Sequence, residues 1–215
     1  SAYVITGGVL NIQWDFTRAW LDEAFKRGAL QEFDGIGVHL YGNKQDSKYP
    51  EARVISGIAH LRAMIHQYGG AADFPLFQTE FGMNLSNEDT SGPMDQRLEQ
   101  QAEVDMRMYL LTLMLGMKVN NWYEWHWAGW TKGQNNHALL SPDWTPRPVY
   151  KAATVLTHEL DGFTFDARID AGRPDDFVLA FKKGAERKWV VWTSGQGHPV
   201  TVKTDGRSGL TVIGM

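Results

Sequence analysis

The residues best suited to chemistry sit at the ends of short apolar runs. Phe77-Gln78-Thr79-Glu80-Phe81-Gly82 carries a carboxylate, Glu80, where such a run stops. A carboxylate at the end of a buried strand is costly unless it is hydrogen-bonded and used. His39 and Tyr41 stand two apart in Gly37-Val38-His39-Leu40-Tyr41, so an extended chain puts them on one face. The same parity groups Gln78, Glu80 and Gly82. A third run, Asn121-Trp122-Tyr123-Glu124-Trp125-His126-Trp127, adds three tryptophans and a second carboxylate, Glu124. Its parity sets Glu124 with Trp122 and His126, away from Trp125. Carboxylates thus stand at two of these strand ends. Flat aromatic faces next to them suit sugar rings, whose C–H faces stack while their hydroxyls hydrogen-bond.

These residues need a scaffold that holds strand ends side by side. Tyr3 to Gly8 reads as a first strand, Phe33 to Tyr41 as a second, Phe74 to Gly82 as a third and Val119 to Trp127 as a fourth. Helical spacing separates them. Asp15 to Gly28 places Phe16, Trp20 and Ala24 on one face, and Glu51 to Tyr68 repeats Val54, Ile58, Leu61 and Ile65. Gln96 to Met117 and Pro148 to Leu160 are the third and fourth helices. Strand then helix, four times, predicts parallel βαβ crossovers, whose sites lie at the strand ends. Beyond Gly162 the pattern becomes strand–turn–strand. Phe177–Phe181 and Trp189–Thr193 predict a hairpin about Gly184, and 200–202 and 210–213 read as further strands. The expected organisation is an α/β domain over 1–161 and a small antiparallel β-module over 162–215. A complete (β/α)8 barrel takes about 250 residues, so four βα units amount to half of one.

Composition narrows the function classes. The 215 residues carry a net charge of −4, with scattered Lys and Arg, which argues against a nucleic-acid partner. No run is apolar enough for a membrane span. The chain has no cysteine, so disulfides, thiolate zinc sites and thiol catalysis are excluded. Seven histidines include no His-x-x-x-His helix with Glu, and the glycine pairs match no phosphate-binding fingerprint, so neither metal nor cofactor is expected. Nine tryptophans in one chain direct attention to stacking surfaces.

His39-Leu40-Tyr41-Gly42, then Gln78-Thr79-Glu80-Phe81-Gly82, then the tryptophan-rich run resemble strands six, seven and eight of the retaining TIM-barrel glycoside hydrolases of clan A, families 5 and 39 above all. Leu139-Leu140-Ser141-Pro142-Asp143-Trp144-Thr145-Pro146-Arg147-Pro148 resembles the loop entering the last barrel helix of such enzymes, and the final module resembles the sandwich that often follows their barrels. The resemblance implies that Glu80 is the nucleophile, attacking the anomeric carbon to form a glycosyl-enzyme. It implies that His39 and Tyr41 orient that carboxylate, and that Trp125 floors the sugar site with Trp127 and Trp122 as neighbours. Gln78 joins the substrate-binding set by parity. The resemblance also implies an acid/base Glu at the end of strand four. The first strand here looks like strand five, so that Glu is expected outside this chain, and Glu124 is the one carboxylate within it on a neighbouring strand.

The expected activity is therefore hydrolysis of O-glycosidic bonds in an oligo- or polysaccharide. A non-catalytic carbohydrate-binding half-barrel and a truncated inactive fragment are the alternatives. Four strands cannot close a barrel, which predicts association as a homodimer or with a complementary half. Sugar, linkage, anomer and compartment are not written in the sequence.

Overall fold

A computed structural model describes residues 2–41, 49–85, 92–126, 136–202 and 211–214. The chain divides into two compact units, Ser1–Tyr150 and Lys151–Met215. The first unit alternates β1 (Val9–Leu10), α1 (Asp15–Lys26), β2 (Ile36–His39), α2 (Glu51–Gln67), β3 (Leu76–Phe81), α3 (Met94–Met114) and β4 (Asn120–Trp122). The four strands form one parallel sheet in the order β1-β2-β3-β4, so all four end at the same edge. Helix α4 (Pro148–Glu159) contains the division between the units.

The long helices follow their hydrophobic spacing. In α2, Val54, Ile58, Leu61 and Ile65 are each 1% exposed and form one stripe. Each such aliphatic side chain contributes about 1.5–3 kcal/mol through burial. Glu51 at the start of α2 meets Arg107 of α3, Oε1 to Nη1 at 3.1 Å, tying the two helices together away from solvent. Helix α1 departs from expectation. Thr17, Leu21 and Phe25 form its buried stripe, whereas Phe16 is 80% and Trp20 53% exposed. Both sets obey helical spacing one residue apart, and packing buried the face of Thr17, Leu21 and Phe25 rather than that of Phe16 and Trp20.

Strand boundaries also differ. The first ladder is Val9–Leu10, downstream of the expected Tyr3–Gly8, which contributes an isolated bridge from Ile5 to Gly35. β4 keeps three residues of the expected nine, because the chain leaves the ladder after Trp122. β3 contains a bulge. Val38 pairs with Gln78 but the next residue, His39, pairs with Glu80, so Thr79 is the extra residue. Gln78 thus lies on the Val38 side and Glu80 on the His39 side, and the parity that grouped Gln78 with Glu80 is broken.

The second unit carries an antiparallel sheet, β5 (Thr164–Ile169), β6 (Asp176–Lys183) and β7 (Glu186–Thr193), in sequence order. The β6–β7 hairpin is the expected one. Its central strand buries Phe177 to Phe181, and the guanidinium of Arg168 lies 3.9 Å from the Phe177 ring, which stacks on Trp192. β5 was not expected. Residues 200–202 and 211–213 form no strand, and Leu210 lies outside the described residues.

Candidate active site

The carboxylate of Glu80 stands at the end of β3, about one-third exposed (36%). Tyr41 Oη donates to Glu80 Oε1 at 2.7 Å, and His39 Nδ1 lies 3.8 Å from the same oxygen. Parallel pairing of β2 and β3 brings these three together, with the bulge turning Glu80 toward His39. Burial and the bond to Glu80 push the Tyr41 phenol far above its ordinary range, so it stays a donor to the carboxylate.

Neighbouring elements hold this group. Arg53 on α2 donates from Nη1 to the carbonyls of Leu40 and Tyr41 at 3.0 and 2.8 Å, fixing the end of β2. Gly8 leaves room for the imidazole, since a Cβ there would fall 1.8 Å from His39 Nε2. Gly82 lets β3 approach the chain after β4, since a Cβ there would fall 2.1 Å from the Tyr123 carbonyl. His137 donates from Nδ1 to the Gly82 carbonyl at 2.7 Å, and its ring lies between those of Tyr41 and Tyr123, at 5.4 and 5.6 Å. Burial lowers the His137 imidazole's affinity for a second proton, which keeps it neutral with Nε2 as an acceptor.

The loop after β3 is clamped at Met83. Asp105 Oδ1 accepts its N–H at 2.9 Å, and Gln101 Nε2, one turn earlier on α3, donates to its C=O at 3.1 Å. Asp105 is fully buried, and desolvation raises its carboxyl well above the usual range. Its Oδ2 and Gln101 Oε1 have no hydrogen-bond partner among the described residues.

The remaining candidates separate. Glu124 is half-buried, and desolvation raises its carboxyl, while Arg147 and His126 oppose the rise. Its charge helps raise the phenols of both Tyr41 and Tyr123, as that of Glu80 does. Trp125 is 57% exposed with its edge against Tyr150. Trp122 is committed to packing: it stacks on Tyr109 and donates from Nε1 to the His137 carbonyl. Gln78 is completely buried, and neither amide atom has a partner among the described residues. Trp127 lies outside the described residues. Sequence reasoning missed Arg53, Asp105, Tyr123 and His137. Nothing in their spacing marks them, because each reaches the site through tertiary contacts.

Among the described residues no group of three or more His, Asp or Glu could hold a metal ion, and no helix is long and apolar enough to cross a membrane.

No protein-family model matches the chain, and no curated protein matches it. A solved family 39 glycoside hydrolase from the gut symbiont Bacteroides cellulosilyticus WH2 superposes with a TM-score of 0.62 at 24% identity, covering 82% of this chain and 37% of that one. The fold is that of part of a TIM barrel. Xylanase 10B structures from Thermotoga petrophila RKU-1, in complex with xylobiose, and from Thermotoga maritima also match, each with a TM-score of 0.46, at 18% and 19% identity, over 70% of this chain and 45% of theirs. The chain thus spans little more than a third of the family 39 enzyme's length.

Proposed function

We propose that this chain supplies the nucleophilic side of a retaining O-glycosyl hydrolase acting on an oligo- or polysaccharide. The observation that carries the reading is the 2.7 Å hydrogen bond from Tyr41 Oη to Glu80 Oε1, with His39 beside it, at the end of a parallel strand. The Glu80 carboxylate attacks the anomeric carbon, and the bond from that carbon to the leaving oxygen breaks. The leaving oxygen takes a proton from an acid outside this chain. Water, deprotonated by the same group, then cleaves the glycosyl ester and restores the carboxylate. Tyr41 holds one Glu80 oxygen while the other attacks, and exposed Trp125 offers a stacking face. Glu124 is the second carboxylate at these strand ends. Its raised affinity for a proton is what a donor needs.

The reading includes association. β1 and β4 are the outer strands, and Tyr3, Val4 and Leu10 beside β1 are 61%, 47% and 44% exposed. A second copy, or a complementary half, would cover that edge and restore eight strands. Light scattering after size exclusion tests it: a stable monomer near 24.3 kDa with no dye-binding surface sinks the association.

An activated fluorosugar tests the chemistry without needing the acid, because a dinitrophenolate leaves unprotonated. Intact-mass and peptide analysis should find the adduct on Glu80 and none in Glu80→Gln. An adduct on another carboxylate sinks the assignment.

A further inference from the structure

Among the described residues, Trp144 is a large residue that folding does not explain. Its φ is +66°, a left-handed backbone that bulky residues rarely adopt. The turn around it is well made: Trp144 N–H donates to the Ser141 carbonyl, Ser141 N–H to the Thr145 carbonyl, and Thr145 N–H to Asp143 Oδ1. Glycine would fill position 144 of such a turn without strain. The indole does not compensate by burial either, since it stays 62% exposed. Instead it lies flat on His126, ring centroids 3.7 Å apart and planes within 6°, and His126 Nε2 is in turn 3.3 Å from the Pro142 carbonyl. The ring is therefore fixed in orientation while much of it meets solvent. Beside it, the Asp143 carboxylate is kept ionised by its hydrogen bonds from Thr145 and remains exposed.

A rigid aromatic plane with an acceptor carboxylate one residue away matches the two sides of a pyranose: axial C–H bonds for the ring, hydroxyls for the carboxylate. A phosphate or another anion is disfavoured by Asp143. We propose that Trp144 and Asp143 form a saccharide-stacking platform that takes a sugar unit of a longer chain. The proposal deepens the glycoside hydrolase reading and borrows from it the choice of saccharide as ligand.

Indole N–H signals in two-dimensional NMR spectra of the full chain report each tryptophan, and Trp144→Gly assigns one while relieving the backbone. Short β-linked gluco-, xylo- and N-acetylglucosamine oligosaccharides are titrated into the native chain, Trp144→Gly and Asp143→Asn. The Trp144 signal is expected to move with saccharide. Trp144→Gly should weaken binding roughly tenfold and Asp143→Asn by less, with the rate of fluorosugar labelling at Glu80 unchanged. Saccharides that move the Trp125 signal but not that of Trp144 overturn the platform and leave the glycosidase reading standing. A Trp144 response with no fluorosugar labelling of Glu80 supports the platform and removes the glycosidase reading. No indole response to any of the saccharides overturns the platform.

Discussion

At the end of β3, Glu80 has a phenol at 2.7 Å and an imidazole at 3.8 Å. At the end of β4, Glu124 has Oε1 buried without a hydrogen-bond partner among the described residues. The two carboxylates influence the same tyrosines, yet one accepts a phenol hydrogen bond and the other is pushed by desolvation toward its acid form. The β3 end is organised by partners from β2, α2 and α3. The β4 end is a loop that presents exposed aromatic rings. Shared tyrosines therefore do not give a shared setting; the immediate donors differ between the two strand ends.

Removing the proposed nucleophile should have the largest effect. Glu80→Gln is expected to lower turnover of an activated aryl glycoside by about 10⁴-fold or more. A loss under about tenfold would mean that the attacking group lies elsewhere. Tyr41→Phe removes one hydrogen bond to a carboxylate, worth about 1.5–3 kcal/mol, so the rate of Glu80 labelling should fall about 10- to 100-fold. An unchanged rate would reduce the Tyr41 contact to packing.

The clamp behind Glu80 is tested through stability. Asp105→Ala leaves the Met83 N–H without its acceptor, at about 1–3 kcal/mol in urea denaturation, whereas Asp105→Asn keeps the acceptor and should recover most of that loss. The pH dependence follows from the raised folded value. The unfolded chain releases this proton near 3.8 while the folded chain retains it, so stability falls as pH rises above about 4. Asp105→Asn should remove that decline; a native chain as stable at pH 7 as at pH 4.5, relative to Asp105→Asn, would show that the carboxyl is not held neutral. Glu124→Gln should give the smallest effect, with the same sign and starting above the ordinary 4.5, reduced by solvent because the group is only half-buried. If Glu124→Gln steepens the pH dependence instead, the contrast between the two strand ends fails.

Element order and the hairpin of the second unit were legible because hydrophobic period and glycine placement are local signals. The Glu80, His39 and Tyr41 cluster was legible through residue type at strand ends. What stayed hidden was non-local. The bulge at Thr79 depends on β2 pairing, so parity placed Gln78 with Glu80 when the register separates them. The buried stripe of α1 was misread because Phe16 and Trp20 outrank Thr17 in hydrophobicity while burial depends on what α1 packs against. β5 went unnoticed although Phe165, Ala167 and Ile169 alternate, because Asp166 and Arg168 between them resemble a charged loop.

The absence of side chains at Gly8 and Gly82 bears on how this site can be re-engineered. A methyl at either position would land on the His39 ring or the Tyr123 carbonyl, so both are fixed points of the design. Under the proposed saccharide reading, variation aimed at sugar preference belongs on Tyr123, Trp125 and Trp144, whose side chains reach solvent. A randomised library with positions 8 and 82 held as glycine should therefore retain far more folded members than one that lets them drift.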